Sequence, residues 1–239
     1  MRRAWWLALA IICAVPVALS AQSESPARGA MFTARDATIL SVGSVAGVLL
    51  VGFDERIAAQ VRESPLQRSN GMKNAMEFAG VVGEPGAVLA GAALWLNGRI
   101  TKDRTQELVG LRSLEAIAVT GAITVGLKAI TGRARPDESP FAPRDFRLGR
   151  GFGDRNEFQS FPSGHVTVAF AFASAVDAEL NRLAPKHPRW IVPTLYALAS
   201  ATAASRVYRD RHWTSDVVLG SAIGFAGGHA VVRWRGDRK

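Results

Sequence analysis

Three short blocks of the sequence carry residues whose types and spacing suit the binding of an oxyanion. The blocks are Lys128–Pro136, Pro162–His165 and Ser205–Asp216. They supply three cations, Lys128, Arg135 and Arg206. Guanidinium forks match the oxygens of a tetrahedral anion. The blocks therefore predict a phosphate site.

The second block also opens a predicted helix. Free backbone N–H groups and the positive end of the helix dipole favour an anion at that point. Glycine at position 164 lets the backbone approach closely, and the Ser163 hydroxyl adds a donor. We expect Ser163 and Gly164 to bind phosphate together with the three cations.

Two histidines, His165 and His212, accompany these groups. His212 precedes Asp216 by four residues, so both side chains lie on one face of a helical turn. A carboxylate at one ring nitrogen fixes the tautomer and leaves the other nitrogen free to attack. His165 is expected to protonate the leaving oxygen and later to take a proton from water. No His or carboxylate cluster has metal-ligand spacing, so we expect neither a metal nor another cofactor.

Six apolar segments with helical spacing must position these blocks. They are Ala37–Val61, Ala75–Leu96, Leu108–Ile130, Val166–Leu183, Trp190–Ser205 and Val217–Trp234. We predict an all-α fold, a single antiparallel bundle of about six helices with the active site at one rim. The blocks fall at the end of the third helix, the start of the fourth, the end of the fifth and the start of the sixth. Those four ends lie on the same side of an antiparallel bundle.

The N-terminus is typical of an exported protein. A basic start, Met1-Arg2-Arg3, precedes an apolar run that ends in small residues at Ser20 and Ala21. We predict a signal peptide over residues 1–21 and one domain over residues 22–239, with an uncleaved N-terminal anchor as the alternative to the signal peptide. The predicted location is the cell envelope, either periplasmic or membrane-associated.

Net charge and helix length do not decide between a bundle in water and a bundle in a membrane. The formal charge of +9 attracts phosphate groups, acidic lipid headgroups or nucleic acid without choosing among them. The charge-free cores of the predicted helices fall short of the ~18–20 residues of a spanning helix. Spacings such as Gly43-x3-Gly47 nevertheless permit close helix contacts, as in membranes. A soluble bundle and a membrane bundle both remain possible, including one with a helix that does not cross.

Taken together, the blocks resemble the signature of the type 2 phosphatidic acid phosphatase (PAP2) superfamily, which includes class A acid phosphatases and vanadium haloperoxidases. That signature reads Lys-x6-Arg-Pro, Pro-Ser-Gly-His and Ser-Arg-x5-His-x3-Asp. All of its specified positions are matched here, by Lys128, Arg135, Pro136, Pro162, Ser163, Gly164, His165, Ser205, Arg206, His212 and Asp216. The resemblance implies that His212 is the nucleophile, that Asp216 orients it and that His165 is the general acid and then the base. It also implies phosphate binding by Lys128, Arg135, Ser163, Gly164 and Arg206.

The implied function is a metal-independent phosphatase that hydrolyses phosphomonoesters through a phosphohistidine. A vanadate-dependent haloperoxidase is the nearest alternative, because the same residues can hold vanadate, although the chain is small for one. A non-catalytic anion-binding envelope protein is the second alternative. Aromatic residues and arginines are interleaved along Asp137–Ser160, a pattern that suits an amphiphilic substrate and equally suits the packing and solvation of an ordinary loop. We therefore expect a phosphate ester substrate, with lipid phosphates such as phosphatidate favoured, a membrane partner and no nucleic acid.

Overall fold

A computed structural model of the chain describes residues 32–153 and 156–236. These residues form helices and connecting turns with no β-strand, which confirms the predicted all-α class. The α-helices are α1 (Ala34–Val51), α2 (Asp54–Arg62), α3 (Asn70–Val81), α4 (Ala87–Thr101), α5 (Arg104–Thr131), α6 (Gly164–Leu183), α7 (Ile191–Tyr208) and α8 (Thr214–Gly236). A π-helical turn, Val82–Gly86, joins α3 to α4. The predicted signal peptide lies outside the described residues.

Local capping signals set the helix ends. Thr33 and Asp36 form a reciprocal capping box at the start of α1, with the Asp36 carboxylate 2.7 Å from the Thr33 backbone nitrogen. The Asp103 carboxylate caps α5 by accepting from the Thr105 backbone N–H at 2.9 Å. Gly132 ends the same helix in the left-handed region, at φ 53°. These caps explain why α5 is longer than the predicted segment, Leu108–Ile130.

Two of the six predicted helices are each divided into two in the structure. The first, Ala37–Val61, is divided at Gly52 into α1 and α2. This break lets Asp54 turn inward, where its carboxylate accepts from the Ser215 backbone N–H at 3.0 Å. The second continues beyond its predicted bounds as α3 and α4, and the π-helical turn between them departs from helical geometry at Glu84.

Small residues bring α8 close to its neighbours. A Cβ atom on Gly224 would lie 2.4 Å from the Thr167 carbonyl oxygen of α6, and one on Gly43 of α1 would lie 2.4 Å from the Ala222 Cβ. Only a glycine allows such approaches. The small-residue spacings noted in the sequence are therefore helix contacts.

The four helix ends that carry the three blocks meet at one rim, as predicted. The Ser163 backbone N–H, just before α6, donates to the Asp216 carbonyl oxygen in the first turn of α8 at 3.0 Å. At the end of α5, the Lys128 side chain lies 3.7 Å from the position that a Cβ of Gly164 would take. The chain therefore runs toward this rim in α5 and α7 and away from it in α6 and α8.

Among the residues that the structure describes, four helical stretches are long and apolar enough to cross a membrane. They are Ala34–Val51, Asn70–Thr101, Arg104–Thr131 and Thr214–Gly236. The first three expose many large apolar side chains, including Val45, Val48, Phe78, Leu89, Ile100, Ile123 and Val125. The observed helices are thus longer than the charge-free cores from which the sequence analysis judged whether a helix can span a membrane.

Candidate active site

The imidazole of His212 is held from one side by the backbone. Its Nδ1 lies 2.7 Å from the Ser160 carbonyl oxygen, and the residue is 3% exposed. A carbonyl oxygen only accepts, so Nδ1 carries the proton and the lone pair on Nε2 is free. Burial, opposed by Asp216 and aided by nearby cations, lowers the pKa of His212 well below its usual range. The ring is therefore neutral at pH 7 and able to act as a nucleophile.

Asp216 acts on His212 less directly than the sequence predicts. Its carboxylate lies 3.6 Å from His212 Nδ1, farther than the Ser160 carbonyl. The same carboxylate accepts from the Ser160 hydroxyl at 2.5 Å and from the Trp213 backbone N–H at 2.9 Å. Asp216 thus fixes the residue that holds the ring and adds a negative charge beside it.

Asp216 belongs to a buried network of ion pairs with Arg133 and Asp54. Arg133 has no solvent exposure, and its guanidinium donates to Asp216 and, at 2.8 Å, to Asp54. The Phe146 ring packs 4.8 Å from the guanidinium carbon. Burial raises the pKa of Asp54, although Arg133 and Ser215 oppose the effect. The sequence analysis missed both Arg133 and Asp54, since no spacing signal separates them from ordinary surface charges.

Two of the predicted phosphate ligands are cations with little access to water. Lys128 is half-buried and Arg206 is buried. The Lys128 ammonium donates to the Gln159 carbonyl oxygen beside Gly164. Arg206 is 8% exposed, and its Nε has no hydrogen-bond partner among the described residues. Its guanidinium packs against Gly80 of α3, 3.6 Å from where a Cβ would stand.

Arg135 is the most firmly held of the three cations. It donates to the Asn156 carbonyl and side-chain oxygens at 2.8 Å each and to the Arg211 carbonyl oxygen at 3.0 Å. These acceptors are neutral. Within residues 32–153 and 156–236, no carboxylate lies within ion-pair distance of Lys128, Arg135 or Arg206. Buried charges of one sign are costly without a counter-ion, so the cluster is suited to an anion.

The start of α6 adds a further donor to the cation cluster. Ser163 precedes the first residue of the helix, Gly164, and its side chain makes no capping hydrogen bond. Its buried hydroxyl has no partner in the part of the chain that the structure describes. Buried polar groups are nearly always satisfied, so this hydroxyl is available to an oxyanion.

His165 lies on the other side of the cluster and is partly exposed, with 34% of its side chain accessible. Its Nδ1 lies 3.1 Å from the Glu84 carboxylate, a partner that the sequence analysis did not identify. Burial is the largest cause that lowers the pKa of His165, which falls to about 4. The remaining causes are four nearby cations, Arg206, Arg135, Lys128 and Arg209. An anion bound among the cations offsets their effect and raises that pKa.

All eight predicted site residues therefore lie at one rim, where cations act on both imidazoles. In the described residues, no group of three or more His, Cys, Asp or Glu side chains is arranged to hold a metal ion. The arrangement can hold a tetrahedral anion, present a nucleophilic nitrogen and exchange a proton.

Comparisons with known proteins identify the family of this chain. The model of the PAP2 superfamily matches residues 110–239, more than half of the chain. A lipid A 1-phosphatase of Porphyromonas gingivalis is 38% identical over 79 residues, which are 33% of this chain and 17% of that protein. A lipid A 1-phosphatase of Rhizobium johnstonii is 33% identical over 122 residues, 48% of this chain and 43% of that protein. The chain thus spans less than half the length of either relative.

A solved structure agrees at the level of the fold. The transmembrane PAP2 type phosphatidylglycerolphosphate phosphatase from Bacillus subtilis superposes with a TM-score of 0.53 and 20% identity, covering 100% of this chain and 97% of that chain. Its identity is too low to carry more than the architecture. The matched range spans all three blocks, and the family match confirms the resemblance seen in the sequence. The chain belongs to the PAP2 superfamily.

Proposed function

We propose that this protein is a metal-independent phosphatase that cleaves lipid phosphate esters through a phosphohistidine on His212. The observation that carries the proposal is the cluster of Lys128, Arg135 and Arg206, which has no carboxylate within ion-pair distance and adjoins a neutral imidazole with a free Nε2. Such a cluster binds a phosphate group and stabilises the charge on its equatorial oxygens during transfer.

The reaction has two transfers. In the first, the Nε2 lone pair of His212 forms a bond to phosphorus while the bond from phosphorus to the leaving oxygen breaks, and His165 gives that oxygen a proton. In the second, His165 takes a proton from water, the water oxygen bonds to phosphorus, and the bond to Nε2 breaks. Inorganic phosphate leaves, and both histidines return to their starting states.

An apolar crevice beside His165 favours a lipid leaving group. It has a volume of about 260 Å³ and is lined by Val82, Gly83, Gly86, Ala87, Ala90, Ala169, Phe172, Leu195, Leu198, Ala199 and Thr202. Ala169 follows His165 by four residues in α6, and Thr202 precedes Arg206 by four residues in α7. The crevice therefore begins about 6 Å farther from the rim than His165 and Arg206. The apolar lining matches an alkyl chain attached to the leaving oxygen and offers few polar partners to a sugar or nucleoside.

The surface and the relatives support a membrane setting. Apolar side chains of α1, α3, α4 and α5 face outward, and the loop after α5 exposes Phe141 and Phe152. Two relatives carry the name lipid A 1-phosphatase. We propose that the bundle lies in a membrane of the cell envelope after export, with the rim at the lipid headgroups.

The proposal is tested with the purified full chain and three substrates: phosphatidate, a prenyl diphosphate and p-nitrophenyl phosphate. His212→Ala is expected to abolish turnover of all three, because no other group supplies the attacking nitrogen. Wild-type protein exposed briefly to substrate and denatured in alkali should retain phosphate in an acid-labile linkage, and His212→Ala should not. Phosphate release and the trapped label are the two readouts.

Several results would contradict the proposal. Substantial turnover by His212→Ala excludes the phosphohistidine. Loss of activity in EDTA with recovery on adding a metal excludes the metal-independent route, and a rate on p-nitrophenyl phosphate far above that on phosphatidate excludes lipid preference. Bromide oxidation with vanadate and peroxide, without phosphate release, supports the haloperoxidase instead.

A further inference from the structure

The carboxylate of Glu84 has no part in the reaction described above, although it contacts one of the two histidines. Its Oε2 lies 3.1 Å from Nδ1 of His165. We infer that Glu84 is a positioning residue that fixes the orientation and tautomer of His165 and stabilises its protonated form. The inference rests on the proposed function, in which His165 is the general acid and base.

The backbone around Glu84 departs from the α-helix at the point where its side chain must reach the site. Glu84 has φ −157° and ψ 116° inside the π-helical turn, between the regular helices α3 and α4. Such turns are frequent at functional sites, because they change the direction of a side chain without ending the helix. The turn also lies against α7, since a Cβ on Gly83 would stand 2.2 Å from Thr202 Cγ2. Close packing on α7 and an extended residue together direct Glu84 toward His165 on α6.

Each histidine has its Nδ1 next to an oxygen acceptor, but the two acceptors differ. His212 donates through Nδ1 to the neutral Ser160 carbonyl, whereas the Nδ1 of His165 lies against a carboxylate. Both acceptors leave Nε2 as the nitrogen that faces the reaction. A neutral partner suits a nucleophile, which must stay unprotonated. A charged partner suits an acid and base, which must accept a proton.

The surroundings of His165 are otherwise positive. Lys128 from α5, Arg135 from the following loop, and Arg206 and Arg209 from the end of α7 all act on it. Glu84 also interacts electrostatically with Lys128 and Arg206, so it belongs to the same cluster. A second carboxylate near these charges, Glu77 of α3, lies 3.8 Å from Arg209 and makes no ion pair with His165 among the described residues. Glu84 is therefore the described carboxylate that opposes the cations at His165, and Glu77 provides a matched control.

The test compares Glu84→Gln with Glu77→Gln, since each removes one negative charge near the cation cluster. First-turnover rates are measured across pH with an alkyl phosphate and with p-nitrophenyl phosphate. For the alkyl phosphate, Glu84→Gln is expected to lose at least about tenfold, a part of the ~10²–10⁴-fold that general acid–base catalysis contributes. The loss should be smaller for p-nitrophenyl phosphate, whose phenolate leaves without a proton. The descending limb of the alkyl-phosphate profile should shift to lower pH by about one unit in Glu84→Gln and stay in place in Glu77→Gln.

A double-mutant cycle separates this inference from the proposed function. In a His165→Asn background, Glu84→Gln should cause no further loss, because the histidine through which Glu84 assists the reaction is absent. Equal losses in Glu84→Gln and Glu77→Gln, or full additivity with His165→Asn, would overturn the role of Glu84 and leave the phosphatase proposal intact. Full alkyl-phosphate turnover by His165→Asn would instead overturn the acid role itself.

Each variant is first checked for a vanadate-induced rise in unfolding temperature. If Glu84→Gln fails that check, Glu84→Asp replaces it and should show a weaker form of the same leaving-group dependence.

Discussion

At the scale of single residues, the proposed reaction assigns opposite tasks to two similar side chains. His212 is buried and held by a carbonyl, so it stays neutral. His165 is partly exposed beside Glu84 and within the field of the cations. The difference lies in the partners of Nδ1 and in access to solvent, which neither residue's immediate sequence reveals.

This division of tasks predicts the pH dependence. His165 must be protonated to act as an acid, and burial and cations lower its pKa to about 4 in the free enzyme. The phosphate dianion offsets those cations, so the pKa of His165 is higher in the complex. The descending limb of kcat should therefore lie at higher pH than that of kcat/KM, because kcat reports the complex and kcat/KM the free enzyme. His212 should impose no acid limb near pH 6.5, since its pKa is held well below that value.

The measurement is a pair of pH–rate profiles on one alkyl phosphate. His165→Asn provides the control, because the substrate's own ionisation is the same for both proteins. A descending kcat limb that is unchanged in His165→Asn would show that another group is responsible.

At the scale of elements, the site depends on how closely α8 packs against α6. Gly220, Gly224 and Gly228 follow one another at four-residue intervals and face Ser163, Thr167 and Ala171. The close approach lets Asp216, in the first turn of α8, accept from the Ser163 backbone at the start of α6. Helix packing thus sets the distance between the second and third blocks.

A glycine pair tests this packing. Gly224→Ala should destabilise the protein by about 1–3 kcal/mol, because its Cβ would lie 2.4 Å from the Thr167 carbonyl oxygen. Gly126→Ala on the exposed face of α5 meets nothing within 4 Å, so it should be neutral or stabilise by up to about 1 kcal/mol. Thermal unfolding in one detergent compares them. Equal stabilities for the two variants would mean that α8 does not pack against α6 as described.

At the scale of the whole molecule, the outer surface differs from the rim. Helices α1, α3, α4 and α5 turn large apolar side chains outward, and the share of buried residues in the α1 stretch is only 17%. By contrast, 72% of the apolar window in α8 is buried, so that helix forms the centre of the bundle. A water-soluble protein rarely exposes so continuous an apolar surface.

This surface predicts integral association with membranes. The protein should remain in the membrane pellet after washing with high salt and with alkaline carbonate, and detergent should release it. A protein held only by its charge of +9 would dissociate in high salt, where screening is strong. Immunoblotting of each fraction gives the result, and recovery of the protein in the salt wash would contradict the membrane bundle.

The three blocks, the helical periodicity and the order of helix ends were enough to predict the family, the all-α class and the convergence at one rim. They suffice because each is a local pattern, and an antiparallel bundle brings alternate helix ends together. The break before Asp54, the π-helical turn at Glu84 and the carbonyl that holds His212 depended on tertiary structure. Arg133 and Asp54 lie far apart in sequence, and Glu84 is just as distant from His165. Such contacts depend on which surfaces of two helices meet, and packing decides that only when the whole chain folds.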